Sequence, residues 1–240
     1  MSIHFVFDIA AVLLMACEPN GCFEKNGAVV TEEVPVTSYT ELSVYGKFDI
    51  VLMPDTADYI EFITRESVLP HLSAEVLDST MILHNSFNCF YQRDFRKVKA
   101  NIHYSNLKKI NLYEATKLTT GEPIESTISI VVQAEMAETD LDIRAERFYF
   151  YNHKTTGGIF TFRGTADYSS ISGFYTAQFN LEKFEVRHLK LNNSSISDMY
   201  ANAREKLEVE IHHRGNIYYT GNPEIVIDSI SGTGQLIHIQ

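Results

Sequence analysis

From Leu107 onward the chain repeats a short apolar strand at a near-constant interval, and this interval restricts the fold more than any other property of the sequence. Strand starts fall at Leu107, Ile128, Phe148, Tyr168, Leu189, Leu207 and Ile225, with spacings of 21, 20, 20, 21, 18 and 18 residues. Such a period fits one coil of a β-solenoid and is too short for a propeller blade or a helical repeat. Alternation within the coils agrees. Asp140-Leu141-Asp142-Ile143-Arg144 and Leu207-Glu208-Val209-Glu210-Ile211 place aliphatics on one face and charges on the other, as in a wall with a filled inside and a wet outside. Gly157-Gly158, Gly164, Gly173, Asn192-Asn193, Gly215-Asn216 and Gly221-Asn222-Pro223 offer corners between them. The expected fold is therefore all-β: a single-stranded parallel β-helix of about seven coils.

A solenoid end exposes unpaired backbone and apolar core, so an atypical terminal cap is expected. The segment from Val34 supplies one. Leu42, Val44, Phe48, Ile50 and Leu52 alternate with more polar neighbours, Pro54-Asp55 turns the chain, and Tyr59 to Ile63 reads as the partner strand of a β-hairpin. Glu66 to Leu72 holds one short helical turn near Pro70. Ala74 to Leu77 and Met81 to Leu83 then form a second antiparallel pair around Asp78-Ser79-Thr80. At 240 residues, no second globular domain is required.

The start of the chain has another character. Ile3 to Ala16 is mostly apolar, at the length of a secretory core and short of the roughly 20 residues of a spanning helix. Leu14-Met15-Ala16-Cys17 resembles the lipobox of bacterial lipoproteins, although no Lys or Arg precedes the apolar run and Asp8 lies inside it. Residues 1–16 are thus expected to be a signal peptide, with Cys17 the lipidated first residue of the mature chain. Residues 17–33, with turn formers at Pro19-Asn20-Gly21 and Asn26-Gly27, read as a tether, and 34–240 as the folded domain. The address this implies is the cell envelope, as an outer-membrane lipoprotein facing the periplasm or the cell surface. Cys22 and Cys89 remain, either as a disulfide or as two free thiols.

A formal charge of −11 opposes attraction to phosphate backbones, so nucleic acid is not an expected partner. Arg93, Arg96, Lys97 and Lys99 form a local basic cluster among Phe90, Tyr91 and Phe95, but Lys97 to Ile102 alternates like a strand with one solvated face. Asp140 and Asp142 share a face and are the nearest thing to the paired carboxylates of a polysaccharide-cleaving β-helix. No Asn-Thr-Asp, Asp-Asp or Gly-His-Gly set accompanies them, so no catalytic residue and no enzyme activity are assigned. His212 and His213 are adjacent on a strand and point to opposite faces, so they do not share a metal ion. No cofactor or metal is called for.

Three stretches carry a family resemblance: Tyr39 to Leu52 (YTELSVYGKFDIVL), Gly164-Thr165-Ala166-Asp167, and Gly215 to Pro223 (GNIYYTGNP). They resemble the head GIN domain family, described as putative auto-transporter adhesins (DUF2807), over about residues 34 to 240. The resemblance implies a parallel β-helix with an antiparallel start and no established catalytic residues. That family's small Ser-Gly-Ala-Gly-like turns are replaced here by His153-Lys154-Thr155-Thr156, Asn192-Asn193-Ser194-Ser195 and His212-His213-Arg214. Two functions follow as alternatives. One is a binding module that presents a wall to a glycan or to an envelope or host-surface protein, with Tyr149, Tyr151, Phe174, Tyr175 and Tyr218 as outward aromatics. The other is an envelope scaffold whose aromatics stack inside the coil.

Overall fold

The computed structural model describes residues 27–87, 98–153 and 155–240. Cys17, Cys22, Cys89, Arg93, Arg96 and Lys97 lie outside the described residues. The first strands are β1 (Val29–Pro35), β2 (Glu41–Tyr45), β3 (Phe48–Pro54), β4 (Tyr59–Arg65), β5 (Leu72–Leu77), β6 (Thr80–Asn85) and β7 (Val98–Tyr104). Then come β8 (Lys109–Leu112), β9 (Thr116–Thr120), β10 (Ile128–Val132), β11 (Met136–Asn152), β12 (Gly157–Ser195), β13 (Met199–Ile211), β14 (Ile217–Thr220), β15 (Glu224–Ile230) and β16 (Leu236–His238).

From β8 onward every pairing is parallel, and two ladders run along the stack. One holds β8, β10, the second half of β11, later stretches of β12 and β13, and β15. The other holds β9, the first halves of β11, β12 and β13, then β14 and β16. β11, β12 and β13 stay extended around the corner and belong to both. Ile128 lies on Phe148, and Leu189 on Leu207 on Ile225. The result is a parallel β-solenoid of about six turns, the number of intervals between the seven strand starts. Two starts are displaced by one residue: Ser129 faces Lys109, which puts Ile128 beside Lys108 rather than Leu107, and Phe148 faces Ser169, which is buried, with Tyr168 on the outer side. A phenol is amphipathic and suits a wet face.

Six phenylalanines fill the interior of the central coils. Phe148, Phe150, Phe160, Phe162, Phe179 and Phe184 are buried together. Ring centroids within this cluster lie 4.8 Å apart for Phe150 and Phe160, 4.9 Å for Phe148 and Phe162, and 5.1 Å for Phe160 and Phe179. Burying each such side chain contributes about 1.5–3 kcal/mol. These rings meet edge-on or tilted, so the interior aromatics form a packed cluster and not the stacked ladder expected of the scaffold alternative.

Two corners are held by buried amides. Asn152 Nδ2 donates to the carbonyls of Thr156 and Phe174 at 3.3 and 3.2 Å, and its Oδ1 accepts the Phe174 N–H at 3.0 Å. Asn193 does the same further on, donating to Ser197 and Asn216 carbonyls and accepting the Ser195 N–H. Asn192-Asn193 falls at a corner as expected, and Asn193 also satisfies backbone groups that the bend would leave unpaired. Glycine freedom is needed at Gly164, where φ is +101° and a Cβ would sit 2.1 Å from the Ile143 carbonyl oxygen.

The N-terminal end departs from the expected hairpin. β3 and β4 are not partners: β7 lies between them, parallel to β3 and antiparallel to β4. Likewise β2 pairs in parallel with both β6 and β8. The β2–β3 coil thus sits between the β6–β7 coil and the β8–β9 coil, out of chain order. Antiparallel β1, β4 and β5 close the end. The β5–β6 hairpin occurs as read, its turn made by Asp78 and Ser79 at φ 47° and 65°, and the short helical turn is a 3-10 turn at Leu69–His71.

Candidate functional site

The most unusual outward feature is the corner within β12 at Phe174 and Tyr175. Asn152 fixes the Phe174 backbone from the coil before. From the coil after, the Ile196 N–H donates to the Tyr175 carbonyl at 2.9 Å, and Ser195 Oγ lies 3.1 and 2.9 Å from the carbonyl oxygens of Tyr175 and Ala177. Between these clamps Tyr175 adopts φ +61°, a left-handed conformation that an L-residue reaches at a cost of about 1–2 kcal/mol. Tyr175 is 57% exposed. Tyr151 lies beside Phe174 with centroids 5.3 Å apart, and Ile196 is also exposed. Phe174, Tyr175, Thr176, Ser194, Ile196 and His213 surround an open, mainly apolar depression of about 460 Å³.

Three of the five outward aromatics therefore meet: Tyr151, Phe174 and Tyr175. Tyr149 precedes Tyr151 on the same outer face, and its ring turns to Tyr168 at 5.9 Å. That neighbourhood is a charged cleft whose groups answer one another, Arg147 with Glu146 at 3.5 Å and Arg187 with Asp167 at 3.6 Å. Tyr218 lies on the other ladder, stacked on Tyr200 at 5.1 Å and 12°, with Asn216 Nδ2 3.2 Å from its hydroxyl. Its neighbour Ile217 is buried. Sequence reasoning missed Ile196 and His213 as parts of the corner. A lone Ile within Ser194-Ser195-Ile196-Ser197 carries no periodic signal, and His213 was weighed only as a metal ligand.

The carboxylate pair is a structural ion cluster. Arg163 pairs with Asp140 and also reaches Asp142 at 4.0 Å. Both acids are thus engaged by one guanidinium on the outer wall. His212 Nδ1 lies 2.8 Å from Ser231 Oγ, and His213 Nδ1 accepts the Arg214 N–H at 2.9 Å. Among the described residues no three His, Cys, Asp or Glu side chains group as metal ligands, and no helix is long and apolar enough to cross a membrane.

A parallel solenoid with an antiparallel cap and an aromatic outer corner defines a class of non-globular β-rods. Within that class, this chain belongs to the family described as "Putative auto-transporter adhesin, head GIN domain", which it matches over residues 38–223. Solved structures share the fold. A protein titled a putative adhesin from Bacteroides fragilis superposes with TM-score 0.78 at 16% identity, covering 88% of this chain and 97% of its own. One titled a putative lipid binding protein from Parabacteroides distasonis gives 0.64 at 20% identity over 90% and 98%. A putative adhesin from Parabacteroides merdae gives 0.61 at 15% over 90% and 98%. No curated protein matches the chain.

Proposed function

We propose that this chain is a non-catalytic binding protein of the cell envelope, holding a glycan or protein partner against the outer aromatic corner of its solenoid. The observation that carries this reading is Tyr175: a bulky residue kept in a left-handed backbone by buried partners on both sides, with its ring presented to solvent. Such strain persists only where its surroundings over-determine it, and it clusters at functional positions. Phe174, Tyr151 and Ile196 add apolar contact, and Thr176, Ser194 and His213 add hydrogen-bonding groups at the rim, the composition of a surface that grips without a deep pocket. The adhesin names of the family and of the structural neighbours are consistent with it. In this proposal Cys17 carries the lipid anchor and the tether is shorter than the expected residues 17–33, ending before β1, because Val29 to Glu33 pair with β4 in the folded domain; Cys22 and Cys89 are left to pair or stay reduced.

The scaffold reading has its own supporting observation. Tyr45 and Tyr113 stack at 4.5 Å and 4°, and Tyr200 and Tyr218 stack likewise, so some outward rings join coil to coil. Cells displaying the full chain separate the two readings. The binding proposal expects Tyr175→Ala to reduce adhesion per folded molecule by at least about tenfold with little change in melting temperature. Unaltered adhesion would favour the scaffold.

A further inference from the structure

The two ends of the solenoid are finished differently. At the N-terminal end the interior is sealed: Met81, Leu83, Val98, Ala100 and Ile102 of the β6–β7 coil are buried beneath the antiparallel strands. The outer edge strands there bear exposed acids, Glu32 and Glu33 on β1 and Glu75 on β5, the charge dressing that keeps a strand edge from pairing.

At the C-terminal end the described coil lacks such a cover. Leu207, Val209 and Ile211 are fully buried interior residues, and their partners one coil on are Ile225, Ile227 and Ile230. Ile227 is 55% and Ile230 46% exposed. They are core positions left open. β15 pairs only with β13 and β16 only with β14, so each ladder also ends on a free row of N–H and C=O groups.

We infer that this end docks onto the same end of a second copy, giving a tail-to-tail dimer. A second copy supplies a matching surface: the same apolar centre and the same free strand edges. Turning one copy over reverses the sense of its coil. Facing edge strands then run antiparallel, the arrangement that an isologous two-fold contact requires. Charge permits it, because the acid nearest the exposed isoleucines, Asp228, already lies 3.1 Å from Lys190 Nζ. The acidic edges at the opposite end prevent head-to-tail growth, so association stops at two.

Sedimentation velocity of the full chain in detergent micelles tests this, with wild type, Ile227→Glu, Ile230→Glu and Val29→Glu compared. Wild type is expected to be a dimer. Ile227→Glu and Ile230→Glu, at positions already half exposed, should keep the circular dichroism spectrum and raise the dimer dissociation constant at least about tenfold. Val29→Glu, on the exposed opposite end, should leave the dimer intact. A monomeric wild type, a dimer indifferent to both isoleucine variants, or a dimer equally sensitive to Val29→Glu overturns the inference. Association through the N-terminal anchor alone would show as the second of these.

Discussion

Tyr175 illustrates how a single residue separates stability from function. Because its φ of +61° suits glycine, Tyr175→Gly should leave the melting temperature unchanged or raise it, while removing the ring and with it adhesion. A sharp fall in melting temperature would mean that the ring is structural. His103 makes a second residue-scale case. Its Nδ1 lies 3.0 Å from Asp55 and its Nε2 3.5 Å from Glu61, with Tyr59 stacked 4.0 Å away. The His103 hydrogen bond holds the Asp55 carboxyl below its usual range, and the Asn101 hydrogen bond does so for Glu61, with His103 assisting. A carboxylate whose folded pKa is depressed contributes stability that is complete above its unfolded pKa and is lost as pH falls through the folded value. Stability should therefore decline as pH drops from about 4.5 through the depressed values. In His103→Asn this decline should be shallower, which denaturant titrations at several pH values would show. At this scale the sequence was a partial guide. Alternation made the outward placement of Tyr151 and Tyr218 legible, but a left-handed tyrosine has no sequence signature, because its neighbours in space come from other coils.

Element pairing was legible where it is local or periodic, and illegible where it is neither. The β5–β6 hairpin follows from its turn residues, and the stack from β8 to β15 follows from the repeat. The β3–β4 hairpin does not form, because β7, some fifty residues later in the chain, offers β3 a parallel neighbour in register over Phe48–Pro54. Adjacent strands in sequence pair by default, yet continuing a ladder buries more surface than closing a short turn. Two substitutions probe the inner and outer faces of β13. Val209→Asp would bury an unpaired charge and cost several kcal/mol, whereas Glu208→Lys on the outer side should stay within about 1 kcal/mol, allowing for its lost pairing with Lys206. Chemical denaturation would report both, and equal costs would contradict the assigned faces. The corner amides are a sharper probe: Asn193→Ala removes the partners of the Ser197 carbonyl and the Ser195 N–H, while the Asn216 carbonyl keeps the Met199 N–H, so about 1–3 kcal/mol should be lost. A neutral result would show that water replaces the amide.

At the scale of the whole molecule, the rod was legible because a repeat of fixed length admits few architectures, and the family because three stretches of the sequence resemble it. The proposed export signal belongs to the same scale. Mass spectrometry of protein from the native envelope should find a mature chain that begins at Cys17 and carries acyl groups; an unmodified chain retaining Met1 would remove the anchor from the proposal. What the rod grips was not legible, since apolar rings facing outward serve a ligand and a neighbouring coil by the same chemistry. The central claim, that the Tyr175 corner is the gripping surface, is tested most directly by adhesion of cells displaying equal amounts of folded wild-type, Tyr175→Gly and Tyr218→Ala protein. The account predicts that Tyr175→Gly abolishes adhesion at undiminished thermal stability, and that Tyr218→Ala, remote on the other ladder, weakens it less. Full adhesion by Tyr175→Gly would contradict it.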